Sequence, residues 1–538
     1  MGTNTVDALK KRVIRWLEDN RGLVIVIFCL PASFIFDTFI SLRCWFQRTF
    51  LSAPKDHLKR VRTIQEAVRK WNLLPEKERR PLCTAKPNWL SLSTTFFKKD
   101  QCHQIPIPLY DILELDEDNL KIKVEPNVTV RDLTKFLNPK GYTLAIGDAT
   151  AGGLAFGVGM TTYSHKVGLY QETILSYDVV TAEGELIHVT ADNEHSDLFY
   201  CLPWSHGTLC FLVALELQLI KIKPYIHMEY IPVHSQQEYC DKLMELSGAN
   251  DKDAKVPDYL EATIYTKNDA VIMVGNFEDA DTAEKQSKIN NVTAWYKPWF
   301  YKHTEKFLAK PGDEYIPIQD YLLRHNRAIF WVVESMIPFG NHPIFRLFLG
   351  WLCPPKPAFL KFTTTQAIRE MTFAKQVFQD IVLPLNKLKE QVDVAIDLFD
   401  TFPLLVYPCR IYDHNRGAQG QLRGPAKSLL VPNTNFAMFN DLGVYGTPGP
   451  VKRREPYNPT YAMREMEKFT RDVGGYSFLY ADIFMTEDEF EQMFDLTLYN
   501  EMRKKYKANG AFPKLYDKVK PELDVISIGN QYAELNSR

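Results

Sequence analysis

The sequence predicts an α+β protein in two parts behind an N-terminal apolar anchor, and three observations carry that reading. Residues up to about 222 combine a helix, mixed strands, a glycine-rich loop and a long closing strand. From about residue 223 the texture becomes aromatic-rich and proline-punctuated. Ahead of both, Gly22–Leu42 is mostly apolar and long enough to cross a bilayer, which takes about 20 residues. The division expected is 1–47 for an amphipathic segment and anchor, 48–222 and 223–520 for the two domains, and 521–538 for a polar tail.

A chain of 538 residues can bury a large core and divide into two or three domains. A formal net charge of −2 argues against a general nucleic-acid binder, which needs excess positive charge to release counterions. Nine cysteines, with no C-x-x-C pair, indicate reduced thiols facing a cytosol-like compartment and no metal site. The sequons at Asn127 and Asn291 are read as chance.

In chain order, Val6–Leu17 places Val6, Leu9, Val13, Trp16 and Leu17 on one helical face with basic residues elsewhere, a pattern that suits an anionic membrane surface. Gly22–Leu42 follows, interrupted by Pro31 and Asp37, with basic residues on both flanks that leave its orientation open. Leu58, Val61, Ile64, Val68 and Trp71 recur at helical spacing. Leu109–Asp116 and Leu120–Glu125 alternate about an acidic turn and read as a hairpin. Thr129 is placed to cap a helix through Leu137 that ends near Gly141. Ser176–Ala182 and Glu185–Val189 form a second hairpin, and Phe211–Lys223 a long strand stopped by Pro224. A third hairpin joins Tyr259–Thr266 to Ala270–Phe277. Pro343–Phe362 is strongly apolar, but Pro354, Pro355 and Pro357 exclude a continuous spanning helix. It is either buried core or a surface that dips into a membrane. Asp413–Pro432 reads as a surface loop, and Ser477–Phe484 as a strand between two helices.

The stretch with the most chemistry is Thr150–Leu169. Gly152, Gly153, Gly157 and Gly159 fall close together, with Thr161, Thr162 and Ser164 just beyond and His165 and Lys166 after them. A diphosphate needs main-chain N–H groups near its oxygens, and side chains would hold it away. A glycine turn packed for steric reasons is the alternative. Gly157-Val158-Gly159-Met160-Thr161 is followed by Thr162, so the G-x-G-x-x-G dinucleotide fingerprint fails, and no G-x-x-x-x-G-K-[ST] occurs.

Several motifs together resemble the delta(24)-sterol reductase (diminuto) family of vanillyl-alcohol-oxidase-like flavoproteins. They are Ser164-His165-Lys166-Val167-Gly168-Leu169, Ser196-Asp197-Leu198-Phe199-Tyr200 and Pro203-Trp204-Ser205-His206-Gly207-Thr208-Leu209. Tyr296-Lys297-Pro298-Trp299-Phe300, Ile337-Pro338-Phe339-Gly340-Asn341 and Leu479-Tyr480-Ala481-Asp482 belong with them. The resemblance runs from about Pro31 to about Tyr516. It implies a two-subdomain PCMH-type FAD-binding domain at 48–222, an α+β substrate domain, non-covalent FAD and NADPH as reductant. It also implies a single-pass anchor in the endoplasmic reticulum membrane (the Golgi being the alternative), and FAD and NADPH chemistry with free thiols places the catalytic part on the cytosolic side. Homo-oligomerisation is compatible with it. The FAD segment it marks comprises Thr150, Ala151, Gly152, Gly153, Leu154, Ala155, Phe156, Gly157, Val158, Gly159, Met160, Thr161 and Thr162. Ser164, His165, Lys166, Gly207 and Thr208 are expected beside it. The family's G-R-P-G-W stands here as Ala85-Lys86-Pro87-Asn88-Trp89, and Cys210 replaces the second glycine of G-T-L-G-F.

The reaction implied is reduction of a sterol side-chain C24=C25 double bond by a hydride and a proton. Protonating the less substituted carbon leaves charge on the tertiary one, which must be kept from water. Tyr296, Trp299, Phe300 and Trp331 are the expected aromatic lining. Tyr480, Asp482 and His165 are the candidate proton donors, the first two on one face of the expected strand. Two rivals are an FAD-dependent oxidase of an alcohol or lactone and a flavin-depleted sterol-binding scaffold, the latter motivated by Ala85, Asn88 and Cys210.

Overall fold

A computed structural model describes residues 20–91, 93–146 and 150–536. The amphipathic segment expected at Val6–Leu17 lies outside them. Two antiparallel sheets dominate, each with its own core. A parallel pair, β1 (Leu82–Thr84) and β2 (His103–Ile105), precedes the first sheet. That sheet is built from β3 (Ile112–Asp116), β4 (Lys121–Val124), β5 (Tyr142–Leu144), β6 (Ile174–Val180), β7 (Leu186–Val189) and β8 (Phe211–Lys221). Its order is β3-β4-β8-β6-β7, with β5 also paired to β8. The first two expected hairpins are therefore present, as is the long strand.

The Thr129 cap is as the sequence predicts. Its side chain accepts from the Asp132 amide, the helix runs Val130–Leu137, and Gly141 takes a left-handed φ of 83° where the chain turns into β5. The helix His57–Asn72 buries Val61, Ile64, Val68 and Trp71 in the first core.

The second sheet contains β9 (Tyr225–Val233), β10 (Tyr259–Ile264), β11 (Ala270–Glu278), β12 (Gly312–Pro317), β13 (Val377–Pro384), β14 (Leu404–Tyr412), β15 (Phe436–Gly446) and β16 (Tyr476–Ser477). Their order is β12-β9-β11-β10-β14-β15-β13-β16. One face buries Leu260, Ala262, Ile381, Leu383, Leu404, Val406, Leu442 and Val444. Against it pack the helices Gln236–Leu246, Gln366–Lys375, Leu388–Phe399 and Pro459–Asp472. The opposite face meets the first core.

Three expectations are corrected here. The polypeptide does not stay in its second half after residue 222. Phe478, Leu479, Phe490, Phe494, Tyr499, Met502, Phe512 and Val519 return to the first core, and the Leu82 amide donates to the Ala511 carbonyl. The expected polar tail contains a helix, Val525–Asn536, whose Val525 is buried in the second core. Asp413–Pro432 is not merely a surface loop. Gln421 and Leu422 are buried, and Gln421 Nε2 donates to the Cys201 carbonyl at 3.0 Å.

Arg21–Phe50 is one helix of 30 residues, about 45 Å at 1.5 Å per residue. It widens into a π-turn at Ile25–Cys29, immediately before Pro31, whose ring crowds the preceding turn and whose nitrogen carries no hydrogen. The helix is tied to the body along its length rather than standing free. Leu30 packs on Ile337 and Phe345, the Lys356 amide donates to Ser33 Oγ at 2.8 Å, and Phe36 stacks on Phe362. Near its end Arg48 pairs with Asp132. Its outer face exposes Ile27, Phe28, Ile35, Phe39, Leu42 and Trp45. Pro343–Phe362, two short helices around a bend, carries that apolar surface onward through Ile344, Leu347, Phe348, Trp351 and Phe362. Of the two sequence readings, buried core is therefore the wrong one for these side chains.

Candidate active site

The glycine stretch folds as a short helix, Ala151–Gly157, capped by Thr150, whose hydroxyl accepts from the Gly153 amide at 3.3 Å. Gly152 sits against Pro126, and a Cβ there would lie 2.6 Å from the proline Cβ. Its amide donates to the Pro126 carbonyl. The first two glycines therefore serve packing, as the steric alternative requires. The second half differs. Val158 has φ 60° and ψ 165°, a region almost reserved for glycine, so a β-branched residue is held there under strain of about 1–3 kcal/mol. Among the described residues, the amides of Gly159, Met160 and Thr162 have no hydrogen-bond partner. Three donors in a strained, glycine-flanked turn are what a ligand anion needs.

Beside this turn lies a second strained loop, in which Trp204, His206 and Gly207 all have positive φ. The His206 amide donates to the Phe156 carbonyl at 3.1 Å, and its ring approaches Gly157. Thr208 is bound by the Tyr499 hydroxyl at 2.7 Å, and Arg503 Nη1 donates to its carbonyl. Residues almost 300 positions away thus brace the loop. Burial lowers His206 to about 3, with Lys518 adding to the effect, and its Nε2 is buried without a partner among the described residues.

Lys518 belongs to a set of three ammonium groups, with Lys86 and Lys99. Burial pushes Lys86 and Lys518 down to about 8, and each is repelled by Lys99. Lys99 Nζ donates to the Thr84 carbonyl at 2.9 Å, and Lys518 Nζ lies 3.8 Å from the centre of the Phe97 ring. None of the three has a carboxylate ion-pair partner among the described residues. Desolvated positive charge without a counter-ion is costly by itself and favourable once a polyanion is bound. The residues present therefore fit a flavin diphosphate. Lys86 supplies the charge of the motif arginine it replaces, and Asn88 Nδ2 donates to the Phe97 carbonyl at 2.7 Å, bracing the adjoining turn.

The inner face of the second sheet carries the remaining polar chemistry. The Leu260 amide donates to the Thr162 carbonyl, and the Thr162 hydroxyl meets the Tyr321 hydroxyl at 2.9 Å, so the glycine turn docks directly on β10. There Glu261 accepts from Arg324 Nη2 at 2.7 Å and from Nε at 3.0 Å. Burial alone would raise Glu261, but Arg324 and then His325 outweigh it and hold the carboxyl below its usual range. Burial lowers His325 to about 4, and it stacks on Phe330 at 4.5 Å. Met160, from the glycine turn, packs with Trp299, Tyr301, Trp331, Leu405 and Tyr407. Ile329 and Phe330 both have positive φ in the loop that presents Trp331, a second concentration of strain.

The structure separates several residues that sequence reasoning grouped. There is no strand over Ser477–Phe484, because β16 ends at Ser477. Tyr480 and Asp482 consequently face different partners. The Tyr480 hydroxyl donates to Asp380 Oδ2 at 2.9 Å, while Asp482 is engaged by Arg369, which also binds Glu522 at 2.8 Å. His165 is fully buried, its Nε2 2.8 Å from the Pro257 carbonyl, and burial lowers it to about 4. That contact requires Nε2–H, so Nδ1 carries no proton to give. His165 and Lys166, which pairs with Asp258 at 2.8 Å, pin the glycine turn to the second domain. Trp299 and Trp331 share a cluster, Phe300 lies behind them against His325, and Tyr296 is exposed on the outer surface.

Asp380, Asp441, Tyr445, Tyr407 and the Glu261–Arg324 pair were missed. Their only signal is an acid inside an apolar run, such as Asp380 in Val377–Pro384 and Asp441 in Phe436–Gly446. Such acids are rarely buried without a reason.

Bare main-chain amides and buried lysines beside a buried, aromatic sheet face fit a flavoprotein. The family profile described as FAD binding domain matches residues 95–190, which include the glycine stretch. The Caenorhabditis elegans protein named Delta(24)-sterol reductase homolog dhcr-24 is 35% identical over 96% of this chain and 99% of its own length. The Homo sapiens Delta(24)-sterol reductase is 37% identical over 94% of each chain, and that of Pisum sativum 34% over 95% of this chain and 93% of its own. The chain belongs to the delta(24)-sterol reductase family and is an oxidoreductase.

Proposed function

We propose that the protein catalyses FAD-dependent, NADPH-driven reduction of the C24=C25 double bond of a sterol side chain, at the surface of a membrane. The observation that supports this reading is the docking of the Gly159–Thr162 turn on the inner sheet face, next to a buried aromatic cluster. Lys86, Lys99, Lys518, His206 and the amides of Gly159, Met160 and Thr162 are the groups that would hold FAD. Bound and reduced, FAD supplies the hydride, with NADPH as the source of electrons. The chain does the rest. Trp299, Trp331, Phe330 and Tyr407 keep water from the tertiary carbon and offer ring faces to its developing charge. The strained turns at Val158 and Phe330 hold both sides of the site in one geometry, as near-attack alignment requires.

The reading is tested on purified protein. The expected result is a yellow protein whose flavin absorbance bleaches on anaerobic NADPH addition and returns when a side-chain-unsaturated sterol is added. A colourless preparation, or no bleaching, overturns it. Peroxide release in air without sterol reduction would favour the oxidase instead.

The continuous apolar surface of the Arg21–Phe50 helix and Pro343–Phe362 supports a membrane site of action, and the nine free thiols support a reducing compartment. The endoplasmic reticulum with a cytosolic active site is the corresponding proposal. Burying one large apolar side chain is worth about 1.5–3 kcal/mol, so removing two such groups has a measurable effect. Phe348→Ser with Trp351→Ser in the intact chain is expected to lower vesicle co-sedimentation by at least about tenfold. Unchanged sedimentation would confine attachment to the N-terminal helix.

A further inference from the structure

We propose that Asp441 is the acid that protonates the alkene, and that Asp380, fixed by Tyr445 and Tyr480, is its permanent counter-anion. The assignment rests on the reduction proposed above and adds the residue that supplies the proton.

Asp441 lies directly across β14 from Tyr407, the residue that shares a cluster with Met160 of the flavin turn. On its other side Asp441 pairs with Val382 and Gly443 with Asp380, so the two carboxyl groups occupy diagonal positions on one sheet face. Tyr445 lies back over Gly443, where a Cβ would stand 2.8 Å from its hydroxyl. This close approach brings Tyr445 Oη to Asp380 Oδ1, while Tyr480 Oη serves Oδ2 at 2.9 Å. Both Asp380 oxygens thus have donors.

Asp441 is 4% exposed, and its Oδ1 is buried with no partner among the described residues. Among the described residues neither carboxyl forms an ion pair. Tyr407 and Cys409 face Asp441 from β14, Tyr445 faces Asp380 from β15, and Tyr480 does so from the C-terminal segment. Glu261, beyond Tyr407, is already neutralised by Arg324.

Two adjacent carboxyls in a dry environment cannot both ionise. The one with hydroxyl donors takes the charge, and the one without keeps its proton. The shifts agree in direction. Burial raises Asp380 to about 6 against the pull of Tyr445 and Tyr480, whereas Asp441, buried and repelled by Asp380, rises well above the carboxylate range.

In the step itself the Asp441 O–H bond breaks as the alkene π pair forms a C–H bond at the less substituted carbon. Reduced FAD, when bound, would supply the hydride that fills the tertiary centre, and the Asp441 carboxylate recovers a proton from solvent before the next turnover. Two negative charges side by side are opposed unless a cation balances them, so proton release is tied to the presence of substrate.

The test uses the holoenzyme and the isosteric Asp441→Asn, which keeps the neutral shape of the protonated acid. Flavin content and the rate of anaerobic bleaching by NADPH are expected to be unchanged, while sterol turnover falls by about 10²–10⁴-fold, the usual worth of a general acid. Infrared spectra of the resting protein at neutral pH provide an independent readout. Buried Glu467, raised to about 8, contributes a constant carboxylic-acid background, so the component assigned to Asp441 is the C=O intensity, shifting in heavy water, that is lost in Asp441→Asn and kept in Asp380→Asn. A fall in turnover of less than about tenfold, or an Asp441→Asn spectrum identical to wild type in the carboxylic-acid region, overturns the assignment. If instead NADPH fails to bleach the wild-type flavin, the reductase reading falls, and the infrared comparison still decides which carboxyl holds the proton.

Discussion

Replacing Arg324 with methionine lowers the folding free energy by about 3–5 kcal/mol, because it leaves Glu261 as an uncompensated buried charge. The guanidinium is doubly bonded to Glu261 Oε1, donates to the Tyr321 carbonyl at 2.8 Å and lies 4.0 Å from the Tyr321 ring centre. Methionine can refill much of the apolar volume but none of the charge. Adding Glu261→Gln is therefore expected to restore most of the loss, since an apolar or neutral replacement of a whole buried pair is often close to neutral. The pH dependence has a definite sign. Glu261 is held below its ordinary range in the folded state, so its contribution is present above the unfolded carboxyl pKa and is lost as pH falls. In Arg324→Met the carboxyl takes up a proton instead, and the deficit against wild type narrows on acidification. Denaturant titrations at neutral and acidic pH measure this. A deficit that stays constant with pH, or a double variant no better than the single one, would show that packing rather than charge governs the site.

Lys518→Met is expected to act in opposite directions on cofactor and fold. A charged hydrogen bond to a diphosphate is worth about 1.5–3 kcal/mol, so FAD should bind about 10- to 100-fold more weakly and be lost on gel filtration. The FAD-free protein should nevertheless become more stable, because a buried ammonium group repelled by Lys99 is gone. The same argument fixes the pH trend of the FAD-free wild type. Lys86 and Lys518 are depressed to about 8. Between about 8 and the ordinary lysine value near 10.4 the unfolded chain binds more protons, so stability rises with pH in that window. Bound FAD supplies the missing negative charge and should flatten the rise. Thermal melts with and without FAD across this range check both points. Equal FAD retention in Lys518→Met would remove this lysine from the cradle.

Much of the architecture is legible locally. Thr129 and Gly141 delimit a helix because capping and a left-handed turn are decided within a few residues. The paired runs around Glu117-Asp118-Asn119 alternate, and those around Lys267-Asn268-Asp269, though buried on both faces, flank a short polar turn, so both hairpins can be read locally. Strands β13, β14 and β15 are buried on both faces and show almost no alternation, which hides them among the aromatic and proline-punctuated sequence. The candidate site divides in the same way. The glycine stretch announces itself by composition, whereas its working half, Gly157–Thr162, is set apart from its packing half only by where Pro126 lies.

What the residues alone determined is the family, the glycine stretch, the long apolar N-terminal segment and the local elements, all of which rest on neighbours within a few positions. The tertiary structure alone decided that Lys518 and Lys86 both lie near Lys99, that Tyr480 turns to Asp380 while Asp482 turns to Arg369, and that Asp441 is left beside a carboxylate with no cation among the described residues. The physical reason is that charge, burial and desolvation act through space. The Thr208–Tyr499 contact spans 291 positions of chain and 2.7 Å of distance, and no periodicity or propensity encodes such a pairing.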